Sequence, residues 1–190
     1  MRHVTVVGLP RSGKTTLCVE IFRRCPRAIF LNVAHEPYFD GVYSASNERD
    51  ALTIADGERT HIVWNCNIWD VQGFLGKLIE MQLAREEKYP ISIFVDEAHL
   101  VCPCHSINIV QGRVPNSFGL LATNGLRWNL RAIWISQRPQ LVDSTIYRTA
   151  EYKIFFKLHS ADISYLRRER IKVPEGIEGL RKYEWSVIEG

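Results

Sequence analysis

Short runs of β-branched and aliphatic residues alternate along this chain with longer stretches whose apolar residues recur every three or four positions. Residues 3–7, 28–33, 61–65, 91–96, 131–136, 152–158 and 183–188 read as strands. Runs 91–95 and 132–135 are almost continuously apolar, as expected of strands covered on both faces. Residues 14–24, 71–88, 116–126 and 161–170 read as helices, the second with Phe74, Leu75, Leu78, Ile79 and Leu83 on one stripe. Ser160, followed by Ala161-Asp162-Ile163, has the form of an N-cap with an acid in the first turn. This alternation predicts an α/β domain with a mainly parallel sheet and helices on both faces, ending in an additional C-terminal strand or hairpin. Segments 34–60 and 102–115 show no clear period, and loops of that length inside a compact domain are often functional.

The bulk numbers change this picture little. A length of 190 residues suits a single domain over 1–190, and 46% apolar with 24% charged residues is ordinary for a globular protein. A formal charge of +3 is too small to name a partner, so any nucleic-acid patch has to come from how charges are distributed. No run is apolar enough for a membrane span, and no charged leader precedes a long apolar stretch. Five irregularly spaced cysteines do not form a disulfide framework, so the expectation is a cytoplasmic chain with reduced thiols.

Candidate chemistry begins at the end of the first strand. Gly8-Leu9-Pro10-Arg11-Ser12-Gly13-Lys14-Thr15 fits G-x-x-x-x-G-K-[ST] without a gap, between a strand and a helix. The glycines let the backbone curl so that successive N–H groups face phosphate oxygens, and the helix beginning near Gly13 adds a partial positive charge. The expected nucleotide-binding residues are Gly8, Pro10, Arg11, Ser12, Gly13, Lys14, Thr15 and Thr16. Lys14 reaches the β- and γ-phosphates and Thr15 ligates magnesium.

A second signal lies at the end of strand 91–96, where Asp96 and Glu97 follow five residues of which four are apolar. Two carboxylates at the mouth of a buried strand are costly unless a metal or polar partner uses them. Asp96 suits a magnesium ligand, and Glu97 a base that orients the attacking water. The strand at 61–65, between the two motifs in the chain, argues against a kinase-like arrangement. It points to P-loop ATPases with a catalytic glutamate beside the metal-binding aspartate. ATP and Mg²⁺ are therefore the expected ligands.

Asp96-Glu97-Ala98-His99 matches the DEAH string of helicases, but such helicases need two lobes and one is present here. Downstream, Gly119 to Trp128 leads into Ile133-Trp134-Ile135-Ser136-Gln137-Arg138-Pro139, then Ala150 to Leu158, then Asp162 and Tyr165-Leu166. From Val4 to about Leu166 the chain resembles the FtsK–HerA superfamily of RecA-like P-loop DNA-pumping ATPases. At this size it is most similar to the genome-packaging ATPases of internal-membrane icosahedral viruses. The resemblance implies that Gln137 is a polar sensor beside Asp96. It also implies that Arg127 is an arginine finger given to the next subunit, with Arg131 and Arg138 as competitors for that role. It further implies a homo-oligomeric ring acting on double-stranded DNA without regard to sequence. Capsid or portal-vertex proteins would be partners, in the host cytoplasm or virion. Residues 35–59 match no motif of the family.

Three features stay outside that frame. His99, Cys102, Cys104 and His105 are zinc-type ligands, but their spacing suits an ordinary loop better. The 102–115 loop offers Gln111, Gly112, Arg113 and Asn116 as contacts to a phosphate backbone, Arg113 foremost. Arg167, Arg168 and Arg170 read as a solvated helix face. Open alternatives are a related transfer or export motor, a small-molecule kinase, and a slowly hydrolysing nucleotide switch.

Overall fold

The computed structural model describes residues 2–104 and 116–190; His105, Gln111, Gly112 and Arg113 lie outside them. In chain order the elements are β1 (Val4–Val7), α1 (Lys14–Arg24), β2 (Ala28–Leu31), β3 (Tyr43–Ala45), α2 (Glu48–Leu52), β4 (His61–Trp64), α3 (Ile68–Ala84) and β5 (Ile91–Val95). There follow α4 (Ala98–Val101), α5 (Ser117–Asn124), β6 (Leu130–Ser136), α6 (Ser144–Thr149), β7 (Tyr152–Phe155), α7 (Ser160–Arg168) and β8 (Ser186–Glu189). The strands form one sheet in the order β3-β4-β2-β5-β6-β1-β7-β8. All pairs are parallel except β7 with β8, where Tyr152 faces Glu189 in antiparallel register.

Alternation along each strand sorts side chains onto two cores. Val7, Ile29, Leu31, Ile91, Ile93, Val95, Ala132 and Trp134 pack with residues of α3 to α7 on one face. Val6, Ala28, Phe30, Phe94, Ile133 and Ile135 meet Cys18 and Phe22 of α1 on the other. There Phe22 stands edge-on to Phe30 and Phe94, with ring centroids 5.9 and 5.6 Å away. The predicted α/β architecture and its C-terminal antiparallel strand are therefore present.

Several local expectations need correction. Residues 34–60 are not one loop: they hold β3 and α2, the latter capped by Asn47, whose side chain accepts from the Asp50 N–H. The short helices α4 and α6 were not anticipated. Ser160 is the first helical residue of α7, and the cap position falls to His159, with no side-chain cap bond. The strand expected at 183–188 begins only at Ser186. Most consequential is the strand that separates the two motifs. In space it is β6, paired to β1 through Val4 and Ile133 and to β5 through Ile91 and Leu130. The strand at 61–64 lies beyond β2 and does not touch either motif strand. Sequence order does not report spatial order in a sheet with crossovers.

Candidate nucleotide site

In a parallel sheet all the strands end on one edge, and the connections leaving that edge converge. Those after β1, β5 and β6 carry the phosphate loop, the acidic pair and Gln137. A cleft of about 330 Å³ is lined by Arg11, Gly13, Lys14, Thr15 and Thr16 together with Asp96, Glu97 and Gln137. The structure thus brings most of the expected site residues into one place. Gly8, Pro10 and Ser12 shape the loop behind them.

The loop is held by its backbone. The Gly8 N–H donates to the Ser136 carbonyl at 3.3 Å and the Leu9 N–H to the Lys157 carbonyl at 2.9 Å, tying it to the ends of β6 and β7. A Cβ at Gly8 would lie 2.4 Å from Phe156 Cβ, so no larger residue fits there. Gly13 caps α1 with φ 108°, a conformation that L-residues rarely adopt, and the first helical N–H groups have no side-chain cap. Lys14, only 5% exposed, turns its Nζ back onto the Leu9 carbonyl at 2.8 Å.

Across the cleft, Asp96 is 4% exposed. Burial, reinforced by the neighbouring Glu97 charge, pushes its carboxyl up to about 7. Glu97 is raised as well, chiefly by burial, while burial lowers Lys14. Glu97 adopts left-handed backbone angles, φ 47° and ψ 47°, and Gln137 Nε2 donates to its Oε1. His99 Nδ1 lies 3.2 Å from Glu97 Oε2, close in distance but not in hydrogen-bonding geometry. Burial lowers His99, which favours the neutral ring. Two partly desolvated acids facing one lysine make a site that favours a cation. The Thr15 hydroxyl and Asp96 carboxylate fit magnesium, a hard ion that takes one or two protein oxygens and completes its shell with water and phosphate. Among the described residues, no group of three or more His, Cys, Asp or Glu side chains could hold a metal unaided.

Other expectations fall away from this cleft. Arg127 is exposed in a 3-10 turn just before β6, at the sheet edge opposite its own phosphate loop. Within one chain it cannot reach the nucleotide. Cys104 Sγ faces the Tyr165 hydroxyl at 3.8 Å, and His99 faces Ser136 and Glu97. Asn116 caps α5, its side-chain oxygen accepting from the Gly119 N–H at 2.9 Å. Glu36, Tyr38, Lys182 and Tyr183 also line the cleft and were not anticipated. None carries a local motif, since each reaches the cleft only through the tertiary fold. No helix among the described residues is long and apolar enough to cross a membrane.

No protein-family model and no curated protein sequence matches the chain. Solved structures do. The genome packaging NTPase B204 from Sulfolobus turreted icosahedral virus 2, in complex with ATP-gammaS, superposes with a TM-score of 0.74 at 17% identity, covering 99% of this chain and 92% of that one. B204, the DNA-packaging ATPase from Sulfolobus Turreted Icosahedral Virus, gives 0.70 at 17% identity with the same coverage. EssC (ATPases 2 and 3) from Geobacillus thermodenitrificans gives 0.54 at 12% identity, over 99% of this chain and 37% of that one. Over nearly its full length the chain therefore has the P-loop NTPase fold seen in B204.

Proposed function

We propose that this chain is an Mg²⁺-dependent ATPase of the FtsK–HerA type that drives double-stranded DNA, most simply a viral genome entering its capsid. The observation that carries the reading is the meeting of Lys14, Thr15, Asp96, Glu97 and Gln137 in one cleft, with β6 set between the two motif strands. The loop amides and Lys14 hold the triphosphate. Thr15 and Asp96 would hold magnesium, which would offset negative charge on the phosphates. Gln137 keeps Glu97 in place. Glu97 accepts a proton from water as its oxygen attacks the γ-phosphorus, the bond to the bridging oxygen breaks, and ADP and phosphate leave. A raised carboxyl suits that base role.

Arg127 of a neighbouring copy completes the site in this reading. A second cleft of about 520 Å³ supports access from outside the loop: it reaches Glu97 and Gln137 beside Ala34, His99, Leu100, Arg138 and Leu141. A head-to-tail contact of this kind closes into a ring. Arg113 is the proposed contact to the DNA backbone.

The test is ATP hydrolysis with and without double-stranded DNA. Wild type is expected to turn over faster with DNA, Lys14→Ala to lose nucleotide binding, and Glu97→Gln to bind ATP while losing at least about 100-fold in rate. A strictly monomeric protein with no response to DNA would remove the motor reading. Phosphorylation of a small acceptor would replace it with a kinase. Arg113→Ala is expected to lower only the DNA-stimulated rate.

A further inference from the structure

The segment before β8 folds into a turn in which the Glu184 N–H donates to the Arg181 carbonyl at 3.1 Å and the Glu184 carboxylate accepts from the Arg181 N–H at 2.8 Å. Its third residue, Tyr183, has φ 69°. That position normally takes glycine, because a side chain with positive φ is crowded against its own backbone. A bulky aromatic held there points to a requirement for the ring at that spot.

The ring's surroundings say what it could serve. The Tyr183 N–H donates to the Ser12 carbonyl at 2.8 Å, which pins the turn to the phosphate loop. A Cβ at Gly13 would fall 2.5 Å from Tyr183 Cδ1, so the ring rests directly on the loop backbone. Tyr183 nevertheless stays 57% exposed and lines the same cleft as Lys14 and Asp96. Lys182 Nζ sits 4.9 Å from the ring centre. An exposed cation–π contact is weak, so another flat group can displace the ammonium from the ring.

The sheet order fixes which part of a nucleotide would arrive there. Asp96, Glu97 and Gln137 leave β5 and β6, on one side of β1, and they engage the γ-phosphate end in the function proposed above. The rest of the nucleotide then extends across the loop toward β7 and β8, on the other side of β1. Tyr183 stands on that side. We propose that Tyr183 is the stacking platform for the base of the bound nucleoside triphosphate, set by its strained turn against Gly13. Lys182 leaves the ring for the polar part of the nucleotide.

This inference rests on the nucleotide-binding reading, and one experiment separates their failures. Affinities for Mg·ATP and for magnesium with inorganic tripolyphosphate are measured on wild type, Tyr183→Ala and Tyr183→Phe. Loss of the ring is expected to weaken ATP about tenfold and leave tripolyphosphate within about twofold, with phenylalanine at the wild-type value. If ATP affinity is unchanged in Tyr183→Ala, or both ligands weaken equally, the ring is only a prop for the loop and the platform is overturned. If wild type itself binds no ATP, the ATPase reading falls and takes the platform with it. Tyr183→Trp reports independently of how well the alanine variant folds: ATP should quench the added indole and tripolyphosphate should not. Equal response to both ligands overturns the platform.

Discussion

His3 is 2% exposed beneath the sheet edge, and its Nδ1 accepts from the Ala132 N–H at 3.0 Å. An acceptor nitrogen cannot also carry a proton, and burial, assisted by Arg131, lowers this imidazole from 6.5 to about 4. In the unfolded chain the ring protonates near 6.5, whereas in the fold it resists until about 4. As pH falls through that window the unfolded state gains a proton that the folded state refuses. Stability should drop by up to about 3 kcal/mol and level off below the folded value. Urea unfolding of wild type and His3→Asn between about pH 7.5 and pH 4 checks this, since the variant should lose much less over the same window. An equal loss in both proteins would assign the pH dependence to other groups. Residue-scale effects of this kind were invisible in the sequence, where His3 looked like one more strand residue. Lys14, Asp96 and Glu97 were legible because their chemistry is written in adjacent positions. Tyr183, Lys182, Glu36 and Tyr38 were not, because nothing near them in the chain records the loop they face.

At the scale of elements, legibility followed length and period. Helix α1 was placed to the residue because the phosphate-loop motif fixes its start and Cys25 with Pro26 closes its end. Helix α3 begins three residues earlier than expected, at Ile68, which is partly buried against the same core as the stripe, while Trp69 and Asp70 beside it are exposed. Helices α4 and α6 span 4 and 6 residues, too few for a 3.6-residue repeat to register. Strand β3 has 3 residues on the sheet edge. Its pairing with β4 is a tertiary fact. Helix α1 also carries a stability test. Among the described residues it is the one α-helix whose buried residues join the core on its face, and Phe22 meets Phe30, Phe39 and Phe94 there. Phe22→Ala should cost about 3–5 kcal/mol, read as a lower denaturant midpoint at unchanged slope. A cost under about 1 kcal/mol would mean that this layer collapses to fill the gap.

At the scale of the whole molecule, the trans role proposed for the exposed Arg127 at the far sheet edge makes a specific demand on assembly. Lys14→Ala leaves a subunit without its own site but still able to lend Arg127, and Arg127→Ala does the reverse. Each variant alone should be nearly inactive, while an equal mixture should recover part of the wild-type rate through interfaces that pair an intact site with an intact arginine. Full activity of Arg127→Ala alone would end its proposed role. The placement of β6 has a different consequence, for the order in which the molecule can be built. Strand β1 pairs only with β6 and β7, both from the last third of the chain. The phosphate loop is thus synthesised early and has no scaffold until much later. Its strand must wait as an unpaired apolar segment while more than a hundred residues emerge, the situation in which folding is slow and chains associate wrongly. A chain stopped before β6 would carry every residue of both nucleotide motifs and still have no site to put them in.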